Sequence, residues 1–266
     1  MKTHRIKNVE EYILKNESVS LDKLCDVFKV SKNTIRRDIK ELLEKGKIKK
    51  IYGGVTINQK KLVPFEERNI KNHAEKKAAA EIAAAYINDG DIIFIDSGTT
   101  TMWLIDFLKN KSITILTNNL SAIVSALPYP NLNIISLGGT LKRKTNSFVG
   151  NSTSLVLKDY NISKAFMAAT GISIARGATN SSVEEYELKK LIVEKSDEIF
   201  LIVDSSKFDS ISLMTYSPLE NLDYIITDKT PPKKYTDFFR KNKINLLTAE
   251  NQNKKIENNL IQDIEN

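Results

Sequence analysis

Residues 31–56 read SKNTIRRDIKELLEKGKIKKIYGGVT, and this stretch decides the N-terminal fold. Ser31 suits a helix N-cap. Behind it Ile35, Ile39, Leu42 and Leu43 recur at helical spacing and form an inner face, while Lys32, Asn33, Arg36, Arg37 and Lys40 fall on the outer one. Gly46 then stops the helix. Lys47–Thr56 alternates apolar and basic residues and turns at Gly53-Gly54, the pattern of a β-hairpin. Upstream, Ser20 caps a short helix with Asp22 in its first turn and an apolar stripe of Leu21, Leu24, Cys25 and Phe28; Ile6, Val9, Tyr12 and Ile13 give an earlier helix. Two short helices on a tight connection, the second exposing cations and amides near its start, read as a helix-turn-helix with the hairpin as its wing. In that arrangement Ser31, Asn33, Thr34, Arg36 and Arg37 reach base edges or phosphates of a duplex. Lys32, Lys40, Lys49 and Lys50 grip mainly phosphates, and Tyr52 joins them from the wing.

The charge supports this reading. The whole chain of 266 residues carries a net +7, and residues 1–60 alone hold 15 Lys+Arg against 8 Asp+Glu, so the rest is neutral. A compact basic head on a neutral body suits a polyanion at one end and another task at the other. A hydrophobic fraction of 41% is enough for a sizeable core and excludes a wholly disordered or fibrous chain. The absence of a long apolar run or an apolar leader leads us to expect a cytoplasmic protein with no membrane partner. One cysteine, read as a core residue, cannot close an internal disulfide, and His4 and His73, read as solvated, cannot complete a metal cage with it. No cofactor and no metal are expected.

Residues 58–73 lose periodicity and contain Pro64, and are read as a linker between a winged helix-turn-helix domain at 1–57 and a second domain at 74–249. From Ala74 an alanine-rich helix runs to about Ile87. Buried strands at 92–95, 113–116, 134–137, 165–168, 199–203 and 224–226 then alternate with helices at 102–108, 120–127, 183–194 and 235–241, the signature of a parallel α/β sheet. Residues 250–266 are polar, Asn-rich and expected to be a disordered tail.

Ligands of such sheets bind beyond the carboxyl ends of the strands. The first strand ends in Asp96-Ser97-Gly98-Thr99-Thr100-Thr101 and feeds a helix, a loop of hydroxyls and small residues suited to a phosphate monoester. It has neither the Gly-Lys-Ser/Thr ending of a nucleotide P-loop nor the repeated glycines of a dinucleotide turn. Other strand ends contribute Asn118, Gly138, Arg143, Gly171, Asp204 and Lys207. Lys207 offers a cation to the phosphate, and Asp96, Asn118 and Asp204 offer acceptors to sugar hydroxyls.

These motifs together resemble the DeoR-type regulators of sugar operons. SKNTIRRDIKELLEKGKI (31–48) and YGGVT (52–56) match the winged head; FIDSGTTT (94–101), TNN (117–119), LGG (137–139), FVG (148–150), FMAATG (166–171) and VDSSKF (203–208) follow the landmarks of the sensor in order. The likeness covers about residues 3–248. The sensor in turn looks like ribose-5-phosphate isomerase at 97–101 and 204–207. VPFEERNI (63–70), KRKTNSFVG (142–150), DYNISKAFMAATG (159–171) and LMTYSP (213–218) are similar to the subgroup that controls myo-inositol catabolism in Gram-positive bacteria, whose inducer is a phosphorylated keto-deoxy sugar acid. The resemblance implies a repressor that is not an enzyme, released from double-stranded operator DNA by a phosphorylated sugar or sugar-acid effector. It also implies a glutamate and a lysine on the helix at 183–194, where either Glu184 or Glu185 faces the pocket. Paired reading of an operator leads us to expect a homo-oligomer, dimer or tetramer. Two other readings stand beside this one: an active sugar-phosphate isomerase using Asp96, Glu184 or Asp204 as its base, and a protein-interaction scaffold.

Overall fold

The computed structural model describes residues 2–16, 18–44, 48–57, 64–150 and 157–250. The head contains α1 (Lys2–Asn16), α2 (Leu21–Phe28) and α3 (Lys32–Glu44). Ser20 Oγ accepts from Lys23 N–H at 3.1 Å and Ser31 Oγ from Thr34 N–H at 3.3 Å, so both anticipated caps form. Gly46, the expected helix stop, lies outside the described residues. The wing strands β2 (Ile48–Ile51) and β3 (Gly54–Ile57) pair antiparallel, and a strand that the sequence reading missed, β1 (Ser18–Ser20), pairs with β3 on its other side. Gly54 is required there, because an added Cβ would lie 2.3 Å from the Val19 carbonyl oxygen. Val9, Ile13, Leu24, Ile35, Ile39 and Leu42 close the head's core, with Cys25 half-buried at its margin. The buried Asp38 of α3 accepts both Arg5 Nε at 2.7 Å and its NH2 at 3.1 Å, which ties α1 to α3.

The segment 58–73 is not an irregular connector throughout. Phe65–Ile70 forms a helix, α4, capped by Pro64 and held to the second domain by the bond from Phe65 N–H to Lys144 O at 2.9 Å. Proline is tolerated at a helix start, where its missing N–H costs nothing, so Pro64 opened a helix rather than excluding one.

The second domain is built on a seven-stranded, all-parallel sheet. In chain order its strands are β4 (Ile92–Ile95), β5 (Ile113–Thr117), β6 (Leu132–Ser136), β9 (Ile162–Met167), β12 (Ser196–Ile202), β14 (Tyr224–Thr227) and β15 (Asn245–Thr248), and their spatial order is β15-β14-β12-β9-β4-β5-β6. β15 was not anticipated. One sheet face packs on α5 (His73–Ala84), α6 (Leu104–Phe107) and α7 (Leu120–Ala126). The other packs on α8 (Val183–Lys195) and α9 (Lys233–Lys241). Two small additions, also missed, sit at the strand ends: a hairpin of β7 (Thr140–Lys142) and β8 (Ser147–Val149), and an antiparallel sheet of β10 (Gly171–Ser173), β11 (Gly177–Asn180) and β13 (Met214–Ser217). The helix expected at 102–108 is instead a 3-10 turn, Thr101–Trp103, followed by the single turn of α6. So short an element carries little helix dipole to favour an anion.

Candidate functional site

On the head, Ser31, Lys32, Asn33, Arg36, Arg37, Lys40, Lys49, Lys50 and Tyr52 are all exposed, and Thr34 is half-buried beneath Ser31. Arg36 and Lys40 of α3 face Lys50 of the wing across a cleft floored by Ile39, Leu43 and Val55. Lys32 is partly neutralised by Asp22 at 2.5 Å. A convex helix carrying cations beside a basic hairpin is a surface that fits a groove and its flanking phosphates.

In the second domain a cavity of about 430 Å³ opens where β4, β9 and β12 end. Its wall includes Gly98, Thr99, Thr100, Thr170, Ser181, Asp204, Ser206 and Lys207, and, from the segment read as a linker and the start of α5, Glu67, Arg68, Lys71, Asn72 and Lys76. Of the residues expected to hold a ligand, Gly98, Thr99, Thr100, Asp204 and Lys207 line it. Asp96, Ser97, Thr101, Asn118, Gly138, Arg143 and Gly171 do not.

The second group has structural work instead. Asp96 is fully buried and saturated: Oδ1 accepts Ser97 N–H at 2.8 Å, and Oδ2 accepts Ala168 N–H at 2.8 Å and the ammonium of Lys189. Thr101 Oγ1 donates to Asp96 O at 2.7 Å, pinning the loop from beneath. Asn118 Nδ2 donates to Phe148 O at 3.1 Å. Arg143 lies exposed at the β7–β8 turn, and Gly171 packs against Ser210. Neither of the two glutamates lines the cavity, and they differ in burial. Glu185 points inward and accepts Ser147 Oγ at 2.6 Å and Ser97 Oγ at 3.1 Å, whereas Glu184 pairs with Lys142 at the surface.

The cavity is cationic. Arg68, Lys71, Lys76 and Lys207 face Asp204 and Glu67. Asp204 Oδ1 accepts Ser206 N–H and Asn72 Nδ2, each at 3.0 Å, and Oδ2 stands 3.5 Å from Lys207 Nζ. Burial alone would raise the Asp204 carboxyl; Lys207 and the bonds from Ser206 and Asn72 outweigh it and hold the group below its usual range. Lys76 is 2% exposed, and its ammonium donates to the Arg68 carbonyl. Burial first, then the nearby Lys207 and Arg68, lower its pKa to about 8 against the pull of Asp204. Burial also lowers the Arg68 guanidinium, opposed by Glu185 and Asp96. Such a pocket is short of negative charge. Arg68, Lys71, Asn72 and Lys76 were missed because they lie on two helices and the turn between them rather than at strand ends. The one available signal was that Lys76 precedes Ala79, Ala80 and Ala83 by three, four and seven residues, which puts it on the buried face.

Among the described residues no helix is long and apolar enough to cross a membrane, and no cluster of three His, Cys, Asp or Glu is placed to hold a metal ion.

The DeoR-like helix-turn-helix domain family matches residues 5–61, and the DeoR C terminal sensor domain family matches residues 71–229. The HTH-type transcriptional regulator IolR of Bacillus subtilis (strain 168) is 49% identical over 251 residues, covering 94% of this chain and 100% of that one. The lactose phosphotransferase system repressor of Staphylococcus epidermidis (strain ATCC 12228 / FDA PCI 1200) is 32% identical over 238 residues, 88% of this chain and 94% of that one. Among solved structures, ribose 5-phosphate isomerase A from Methanocaldococcus jannaschii is 18% identical with a TM-score of 0.39, over 52% of this chain and 55% of that chain.

Proposed function

Because this chain belongs to the DeoR family of helix-turn-helix transcriptional regulators, we propose that it represses a carbohydrate-catabolic operon and leaves its operator when a phosphorylated sugar or sugar acid fills the sensor. The observation that carries this reading is the separation of two cationic surfaces, one convex on the head and one concave in the sensor. The first suits a duplex and the second a small anion. Ser31, Asn33, Thr34, Arg36 and Arg37 read or position the operator, with Lys32, Lys40, Lys49, Lys50 and Tyr52 on its backbone. Gly98, Thr99, Thr100 and Lys207 take the effector's phosphate, and Asp204 accepts its hydroxyls. Asp96, Ser97 and Thr101 support that loop from below rather than touching the ligand. Likeness to regulators of myo-inositol catabolism makes a phosphorylated keto-deoxy sugar acid the first effector to try. Two heads bound to an operator imply at least a dimer, in the cytoplasm with the DNA.

The isomerase reading is weaker. Aldose–ketose isomerisation needs a carboxylate free to take a carbon-bound proton. Asp96 is occupied by Lys189 and two amide N–H groups and Glu184 by Lys142 outside the cavity, while Asp204, whose Oδ2 carries no hydrogen bond, is held below the usual carboxylate range beside Lys207 and is a poor proton acceptor. We therefore read the cavity as a sensor without catalysis.

A thermal-shift screen of the full chain against phosphorylated sugars and sugar acids, with operator titrations of each hit, tests the proposal, since a ligand that binds only the native state raises its melting point. A hit that lowers operator affinity is the expected result. Turnover of ribose 5-phosphate, or hits that leave operator binding unchanged, would overturn it.

A further inference from the structure

The head and the sensor meet at a seam outside the cavity, and one stretch of chain serves both. The 3-10 turn Ser205–Lys207 supplies Ser206 and Lys207 to the cavity wall. Four residues beyond Lys207, Ile211 is 5% exposed and sits in the head's own apolar core with Ile6, Val9 and Ile13. On either side of Ile211 the chain is tied to the β10–β11 hairpin: Ser210 N–H donates to Ile172 O at 3.2 Å and Ser212 N–H to Thr179 Oγ1 at 2.9 Å. At the intervening Asp209 the backbone is left-handed, φ +53°, and its carboxylate is held by Lys234 at 2.5 Å and the Tyr235 hydroxyl at 2.9 Å. Aspartate tolerates the left-handed region better than most side chains, and here these two bonds fix it there. At the tip of the same hairpin Arg176 NH2 donates to the Lys15 carbonyl of α1 at 3.0 Å. Beside these contacts a cavity of about 310 Å³ lies between Leu14 and Lys15 on one side and Ile174 and Asp209 on the other. Ile211 and Arg176 are thus two points at which the head meets the sensor.

We propose that residues 204–211 are the coupling element of this regulator, one end held by the effector and the other by the head. The proposal rests on the effector reading of the cavity. Lys207 Nζ lies 3.5 Å from Asp204 Oδ2. An anion in the cavity draws Lys207 to itself, the Ser205–Lys207 turn moves, and the Asp209 joint carries the motion to Ile211, changing how the head is seated. A ligand shifts a two-state equilibrium only by its differential affinity, and the exchange of Asp204 for the anion as the partner of Lys207 is that difference.

The test uses the full chain, an operator duplex selected in vitro by the wild type, and four probes: inorganic phosphate, ribose 5-phosphate, 6-phosphogluconate and a phosphorylated keto-deoxy sugar acid. Probe binding is measured by calorimetry and operator affinity with and without probe, for the wild type, Ile211→Ala and Arg176→Ala. The wild type is expected to change its operator affinity by about 5- to 150-fold on saturation with a binding probe. Both variants are expected to bind that probe as the wild type does, while the factor falls towards about one. If Ile211→Ala unfolds the head, Arg176→Ala, a partly exposed side chain, reads the same seam. A wild type that binds a probe without any change in operator affinity, or variants that keep the full factor, would overturn the coupling and leave the effector reading standing. A wild type that binds none of the four would overturn that reading and this proposal with it.

Discussion

A lysine on the buried face of an alanine-rich helix holds its charge at a cost, and Lys76 shows which way its surroundings push. Its pKa is lowered to about 8 from 10.5, with Lys207, Asp204, Arg68 and Glu75 as the charged groups around it. Between those two values the unfolded chain binds more protons than the folded one, so this group's penalty is complete below about pH 8 and is relieved as pH rises from there. For a bound anion the sign reverses, because the anion favours the ammonium form. A phosphate monoester, whose second ionisation lies near about pH 6, is a dianion throughout this window. The melting-point shift produced by ribose 5-phosphate should therefore shrink between about pH 7 and about pH 9 in the wild type and stay flat in Lys76→Met. An equal decline in both proteins would move the effect to another group. Thr100 is tested by Thr100→Val, which keeps the shape and removes the hydroxyl. Operator affinity should be unchanged, while effector affinity should fall by about 1.5–3 kcal/mol, roughly ten- to a hundredfold, if the hydroxyl meets a charged phosphate. An unaltered response would remove Thr100 from the site. At this scale the sequence was legible where a residue is unusual for its element. Thr99, Thr100, Asp204 and Lys207 stand out at strand ends, whereas Arg68 and Lys76 are ordinary helix residues until the packing aims them inward.

Elements divide in the same way. α1, α2 and α3 were readable because each buries one stripe, and α2 and α3 also because their caps are side chains with a known partner. The strands of the large sheet were readable as short apolar runs between turns. β7, β8, β10 and β11 were not, since strands of three or four residues at strand-end loops show no period long enough to detect. α4 was hidden for another reason, its six residues opening on a proline. On α3 the exposed Arg36 carries the next prediction. Arg36→Ala should cost about 1–3 kcal/mol at one base position of the operator if it reads a guanine. A panel of mutated operators decides the matter: weakening by the same factor on every sequence would reassign Arg36 to the phosphate backbone. Beneath that surface Asp38 accepts two bonds from Arg5. Asp38→Ala leaves a guanidinium without its partner and frees α1 from α3, so thermal unfolding of the head should begin at lower temperature while effector binding is retained. A head as stable as the wild type would mean that the apolar core alone sets the angle between those helices.

Over the whole molecule, the division into a basic head and a neutral sensor was visible in the distribution of charge, but their contact was not. Ile211 looks like any loop isoleucine, and only the fold carries it into the core of a domain more than 150 residues earlier in the chain. The charge division has a consequence that separates a regulator from an interaction scaffold. The exposed cations of α3 and of the wing would displace condensed counterions from a duplex, so affinity should fall linearly on a log–log plot against salt, with a slope of about −0.9 for each phosphate neutralised. Two heads that together neutralise about six to ten phosphates would lose about 10³–10⁵ in affinity between about 50 and about 200 mM salt. The sensor cavity releases no such atmosphere, and the buried Lys76 and half-buried Arg68 and Lys207 are screened less, so effector affinity should decline far more gently over the same range. Measuring both slopes on one preparation makes each the control for the other. A shallow slope for the duplex would remove the cations of α3 and of the wing from the interface. Equally steep slopes would mean that the sensor meets its ligand at an open surface rather than in the cavity lined by Lys76 and Lys207.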